Sequence, residues 1–120
     1  MEGLHLTRRG RLCLASLTGE LANERATAVR RGLEQALDDT GCGVLVADLA
    51  GVSFLDSSGI GLLVSVAARA RAAGRDFFLL EPSTQVRKTL ELVQLMAYFQ
   101  VLPGPEALPG LEAQDSVAGT

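Results

Sequence analysis

The chain opens on alternation. Leu4 and Leu6 stand between polar neighbours, and Leu12, Leu14 and Leu17 resume beyond the Arg8–Arg11 segment, a pattern that predicts an N-terminal β-hairpin. The period then lengthens. Ala26, Val29, Leu33, Ala36 and Leu37 fall on one face of an amphipathic helix, with Asn23 placed to cap its start and Gly41 marking its C-terminal side. Val44-Leu45-Val46-Ala47-Asp48-Leu49 is an apolar run of strand length. A second helix is predicted from Ser58 to Ala73, stopped by Gly74 as its C′ residue, with Ile60, Leu63, Val64 and Ala67 facing the core. Phe77 to Leu80 reads as a further strand. Ser83 caps a third helix carrying Val86, Leu90, Val93 and Ala97, and Tyr98 to Leu102 reads as a short last strand.

Strands alternating with helices make this an α/β chain, and the leading hairpin makes its β-sheet mixed, with the helices packed on it. Residues 1–102 form the predicted domain. Over 103–120 the composition shifts to Pro103, Pro105, Pro109 and several glycines with few large apolar residues, so this tail is expected to be loose.

A length of 120 residues gives one domain with a real core. The net charge of −3 argues against nucleic acid as a partner, because its binders concentrate positive charge. Thr7-Arg8-Arg9-Gly10-Arg11 imitates a twin-arginine export signal. The apolar run behind it, Leu12 to Leu17, is shorter than the about 7–15 residues a signal peptide requires. No stretch approaches the roughly 18 apolar residues of a membrane span. We therefore expect a cytoplasmic protein without membrane insertion. Cys13 and Cys42 have no Cys-x-x-Cys spacing, and with His5 as the one imidazole they cannot supply the about four ligands of a structural metal. Both read as reduced thiols.

Asp56-Ser57-Ser58-Gly59 joins the buried strand, through Ala50–Leu55, to the second helix. A hydroxyl at that junction lies beside free N–H groups and the positive end of the helix dipole, which can hold an anion. Serine and aspartate are also ordinary N-caps, and both readings stand at this level. Catalytic groups are scarce. Gly59-Ile60-Gly61-Leu62-Leu63-Val64 puts Val64 where a dinucleotide fingerprint needs its third glycine, and the serines lack the glycine of a nucleophile elbow. His5 sits on an expected edge strand, and Asp48 falls inside an apolar run. The chain reads as no enzyme, with no cofactor and no metal.

Val46 to Gly61, with its Phe54-Leu55-Asp56-Ser57-Ser58-Gly59 centre, resembles the signature of the STAS domain family, in particular the bacterial anti-sigma factor antagonists. Leu17-Thr18-Gly19-Glu20-Leu21 resembles the family's Gly-Glu-Leu segment, and Glu81 to Val86 with Leu90, Leu92 and Val93 its late strand-to-helix segment. The resemblance covers about residues 4 to 102. It implies a protein of stress-response or sporulation circuits whose unmodified form binds an anti-sigma factor that is itself a serine kinase, releasing a sigma factor. Phosphorylation would end that binding and a phosphatase would restore it. By position, Ser57 is the implied phosphoacceptor, Ser58 the helix cap and Gly59 a point of close backbone approach. Asp56, Glu20 and Asn23 belong to the implied partner face. Ala22 stands where switching members often carry an acid.

The second helix is apolar nearly all round. Leu62, Val66 and Arg69 recur at i, i+4, i+7 on a different face from the expected core positions, and form a second candidate docking stripe unless a neighbouring helix covers them. Two other functions remain open: a non-switching STAS scaffold subunit in a stress-signalling or lipid-transport assembly, and a small hydrolase or nucleotide-binding protein.

Overall fold

The computed structural model describes residues 3–108. Its elements run β1 (Leu4–Arg9), β2 (Leu12–Leu21), α1 (Asn23–Asp38), β3 (Val44–Leu55), α2 (Ser57–Ala72), β4 (Asp76–Leu80), α3 (Thr84–Leu92), a 3-10 turn (Met96–Tyr98) and β5 (Gln100–Leu102). The strands form one sheet in the order β1-β2-β3-β4-β5. The β1–β2 hairpin is antiparallel and the other pairings are parallel, so the sheet is mixed as its sequence predicts. Gly10, at φ +57, supplies the left-handed residue between β1 and β2.

The larger core joins Ala26, Val29, Leu33 and Leu37 of α1, Leu62, Leu63, Val66 and Ala67 of α2, and Val86 and Leu90 of α3 to alternate residues of the strands, among them Ala15, Leu17, Leu45, Ala47, Leu49 and Leu79. The intervening residues Leu12, Val46 and Leu80 face the other way and pack with Leu108. The expected loose tail therefore needs correction at its start. A 3-10 turn at Pro105–Ala107 brings Leu108 onto the sheet with 8% of its surface exposed, so packing continues past residue 102. The rest of the expected tail, residues 109–120, lies outside the described residues.

Helix α2 starts and ends one residue earlier than expected, and two other helix boundaries differ by their capping. Asn23 does not cap α1. The cap position is Ala22, which provides no side-chain bond, and Asn23 is the first helical residue at φ +54, a left-handed conformation that asparagine tolerates better than most side chains. The third helix stops early, at Leu92, leaving Val93 47% exposed. The N–H of Leu95 bonds the Leu90 carbonyl at 2.8 Å and that of Gln94 the Glu91 carbonyl at 3.0 Å. With Gln94 at φ +59 this is a Schellman ending in which glutamine takes the place usually held by glycine.

Candidate functional site

β2 and β3 run parallel and end side by side, with Leu21 opposite Leu55. Each strand feeds a helix almost at once, so the N-termini of α1 and α2 open at one point, beyond the carboxyl ends of two adjacent strands. That is where parallel α/β sheets bind their ligands. Register shifts at Ser16/Thr18 and Gly19/Glu20 bend the end of β2. The Arg25 guanidinium holds that bend by donating to the Thr18 and Glu20 carbonyls.

Asp56 fastens the two helix starts together. Its Oδ1 accepts from the Gly59 N–H at 2.9 Å, capping α2, while Oδ2 accepts from the Asn23 N–H at 3.3 Å, where α1 has no cap of its own. Its backbone N–H reaches the Leu21 carbonyl at 3.4 Å. One carboxylate thus meets the positive ends of two helices, a favourable placement for an anion. Ser58 is not the cap. The aspartate performs that function, and Ser57 and Ser58 become the first two residues of the helix itself.

That assignment releases the hydroxyls. Ser57 and Ser58 are both exposed, and among the described residues nothing hydrogen-bonds to the Ser57 side chain. Phe54 lies three residues before Ser57, paired across the sheet with Glu20, and 43% of its surface is exposed. Glu20 and Asn23 are both exposed beside it. The parallel ending of β2 and β3 brings Glu20, Asn23, Asp56, Ser57 and Ser58 to one end of the molecule. Sequence reasoning passed over Phe54, which reads there as one more apolar strand residue. The signal was its place outside the alternation, since buried Val52 and Leu55 flank Ser53 and Phe54.

Three sequence-predicted positions turn inward. Gly59 is buried, and a Cβ there would lie 2.3 Å from the Leu21 carbonyl oxygen and 2.5 Å from Leu55 Cδ1. It permits close packing of α2 on the strand ends, not approach of a partner backbone. Gly61 is the open one: it is exposed, and a Cβ added there would meet nothing within 4 Å. Leu62 and Val66, expected on a docking stripe, are 2% and 0% exposed. Helix α1 packs along α2 and covers them, while Ile60 and Val64 of the expected core face are only half-buried. Arg69 stays at the surface, paired with Asp38 of α1 at 2.6 Å. The apolar stripe is thus an internal helix–helix seam.

Elsewhere, Asp48 bonds the Ala50 N–H at 3.1 Å, a local structural role. Among the described residues no group of three or more His, Cys, Asp or Glu converges as a metal site, and no helix is long and apolar enough to cross a membrane.

The whole architecture is shared with solved proteins. The anti-sigma factor antagonist SpoIIAA in its unphosphorylated form is 25% identical, with a TM-score of 0.71 over 98% of this chain and 97% of that one. The phosphorylated form of SpoIIAA, described as a Bacillus cell fate determinant, is similar at 23% identity and a TM-score of 0.67, covering 95% and 98% of the two chains. An anti-sigma factor antagonist from Mycobacterium paratuberculosis has the same fold at 20% identity and a TM-score of 0.73, covering 98% and 93%. The STAS domain description matches residues 4–106, from the first strand to the turn after the last. With the fold, the paired helix starts and that match in hand, this chain belongs to the STAS domain family.

Proposed function

We propose that this chain is an anti-sigma factor antagonist switched by phosphorylation of Ser57. In its unmodified form it binds an anti-sigma factor that is also a serine kinase, which frees a sigma factor; a phosphatase resets the modified form. The carrying observation is the division of labour at the β3–α2 junction. Asp56 supplies the cap, so the exposed Ser57 hydroxyl is left without a structural task. Family membership and structural relatives that are anti-sigma factor antagonists support the same reading.

The physics of the switch is local. Phosphorylation adds about −1.5 to −2 charges and three strong acceptor oxygens. Two helix N-termini already face this point, so the added anion is compatible with the fold. The partner fares differently. A face shaped to cover a neutral hydroxyl and the Phe54 ring must instead accommodate a phosphate beside the Asp56 carboxylate. It must desolvate that charge or repel it, and a loss of about 1.4 kcal/mol is already tenfold in affinity. Glu20, Asn23, Phe54, Ser57, Ser58 and Gly61 form the proposed contact face. Leu62 and Val66, being buried, are not part of it.

The test is incubation with the cognate kinase and ATP, with the modified residue mapped by mass spectrometry. Phosphate on Ser57 is the expected result. Modification only at Ser58, or none with an active kinase that binds the chain, would overturn the assignment and leave a non-switching scaffold.

A further inference from the structure

Helix α3 ends on two apolar residues that the fold leaves in water. Leu92 is 84% exposed, more than any other large apolar side chain among the described residues, and Val93 beside it is 47% exposed. The Schellman ending explains why. Gln94, at φ +59, turns the chain back at once, and Leu95, not Leu92, folds onto the core that holds Leu90. Val86 and Leu90 fill the inner face of α3, so Leu92 has no route inward. An adjacent apolar pair at a helix end, beside a groove, marks an interaction surface.

The groove lies on the same outer face. Lys88, Glu91 and Leu92 fall at i, i+3 and i+4 and line a shallow depression of about 350 Å³, with room for a side chain the size of leucine. All three are exposed. Among the described residues neither Lys88 nor Glu91 has an ion-pair partner, although they stand one turn apart on the helix. Arg87 adds a second positive charge beside Lys88. The face is therefore ordered along the helix, basic at 87 and 88, acidic at 91, apolar at 92 and 93. That order selects its occupant. A partner of one sign would meet repulsion from one of the two turns. The same face rotated by 180° is complementary, because it sets an acidic residue over each basic one and opposes the two helix dipoles.

We propose that this face docks a second copy of the chain, with the two α3 helices antiparallel about a two-fold axis near residue 90. Leu92 of each copy enters the groove of the other, and Lys88 of each meets Glu91 of the other. The symmetry counts every contact twice, so one substitution removes two. Two helices of nine residues bury less than the about 1,200 Å² of a standard interface, and the pairing is accordingly weak and reversible. It uses none of the residues of the Ser57 face and stands independently of the phosphorylation reading.

Sedimentation equilibrium of the full chain, from about 10 μM to about 1 mM, is expected to show a monomer–dimer equilibrium. Leu92→Asp should melt as the wild type does, because the side chain is already in water, and should stay monomeric across that range. Lys88→Glu or Glu91→Lys alone sets like charges opposite each other twice, and should raise the dimer dissociation constant about tenfold. An equimolar mixture of those two single variants should pair again, since every charge then meets its opposite. The charge variants decide the matter if Leu92→Asp fails to fold. A wild-type chain that stays monomeric up to about 1 mM, a dimer that survives folded Leu92→Asp, or a mixture that pairs no better than its components would overturn the proposal.

Discussion

Serines sit at two strand-to-helix junctions in this molecule, and the structure uses Ser83 and Ser57 in opposite ways. Ser83, before α3, is half-buried and fully committed: its hydroxyl donates to the Val52 carbonyl at 2.6 Å and accepts from the Val86 N–H at 3.2 Å. Ser57, at the start of α2, is exposed, and its hydroxyl has no partner among the described residues. The difference arises one residue upstream. Where Asp56 caps the helix, the serine after it is spared; where Pro82 precedes Ser83, the serine must do the capping. A serine at a helix start is therefore structural or available according to what its neighbour supplies, and the tetrapeptide Asp56-Ser57-Ser58-Gly59 carries its own cap.

The largest effect that tests this contrast is on binding. On the proposed function, stoichiometric phosphorylation of Ser57 is expected to weaken binding of the proposed anti-sigma partner by about 100-fold, equivalent to about 2.7 kcal/mol, while the melting midpoint barely moves. Calorimetry beside thermal melts separates the two. Normal binding by the phosphorylated, folded chain sinks the switch. The same kinase should leave Ser83 unmodified, because its oxygen is held between two backbone groups.

Next comes the glycine behind the spared serine. Gly59→Ala forces a Cβ against the backbone oxygen of Leu21, which no side-chain rotation relieves. We expect a loss of about 1–3 kcal/mol in urea unfolding, by the usual cost of overpacking. An unchanged midpoint would mean that α2 shifts freely on the strand ends, and that the proposed contact face is soft.

Ser83→Ala should cost about 1–2 kcal/mol, because a cap is lost and the Val52 carbonyl loses its donor. Ser57→Ala should stay within about 0.5 kcal/mol of wild type. Equal costs at the two serines would break the comparison outright, showing that Ser57 carries a structural bond after all.

Much of this was legible in the sequence, for reasons that differ by element. The stop of α2 at Gly74 was readable because glycine is the residue that takes a left-handed C′; the fold places it at φ +70. The same motif ends α3, yet Gln94 there gives no such signal, and the helix reads as a turn longer than it is. The position of the strand-to-helix junction was readable from its change of period. The inner face of α2 was not, because the helix is apolar on nearly all sides and lies against both the sheet and α1. Periodicity cannot orient a helix that buries a wide arc. Nor could the sequence show that Asp56 reaches Asn23, since that contact depends on β2 and β3 ending in parallel register.

Asp56 serves α1 only because α1 lacks a cap, which offers a way to sharpen the comparison. Ala22 has the extended backbone of an N-cap, at φ −147 and ψ 152, but no side-chain oxygen. Ala22→Asp is expected to add about 1 kcal/mol of stability in urea unfolding. It also supplies the acid that the family resemblance implies beside the proposed phosphoacceptor, and on the proposed function should raise the initial rate of Ser57 phosphorylation in a matched kinase assay. A stabilised variant with an unchanged or slower rate would assign that acid to helix capping alone.

The smallest expected effect concerns Gly61, and it separates folding from binding most cleanly. A glycine inside an exposed helix is less stable than alanine by roughly 0.5–1 kcal/mol, since it gains no packing and loses more chain entropy on folding. Nothing lies within 4 Å of the position a Cβ would take at Gly61, so Gly61→Ala has no internal clash to offset that gain. The variant should therefore melt slightly higher than wild type. Gly61 follows Ser57 by four residues, which puts it one turn along the same helix face. If a partner backbone crosses that face closely, the added methyl should weaken the anti-sigma complex even as the free chain becomes more stable. Higher stability with unchanged affinity, measured on the same preparation, would move the contact face off this turn of α2 and toward Phe54 and the end of β3.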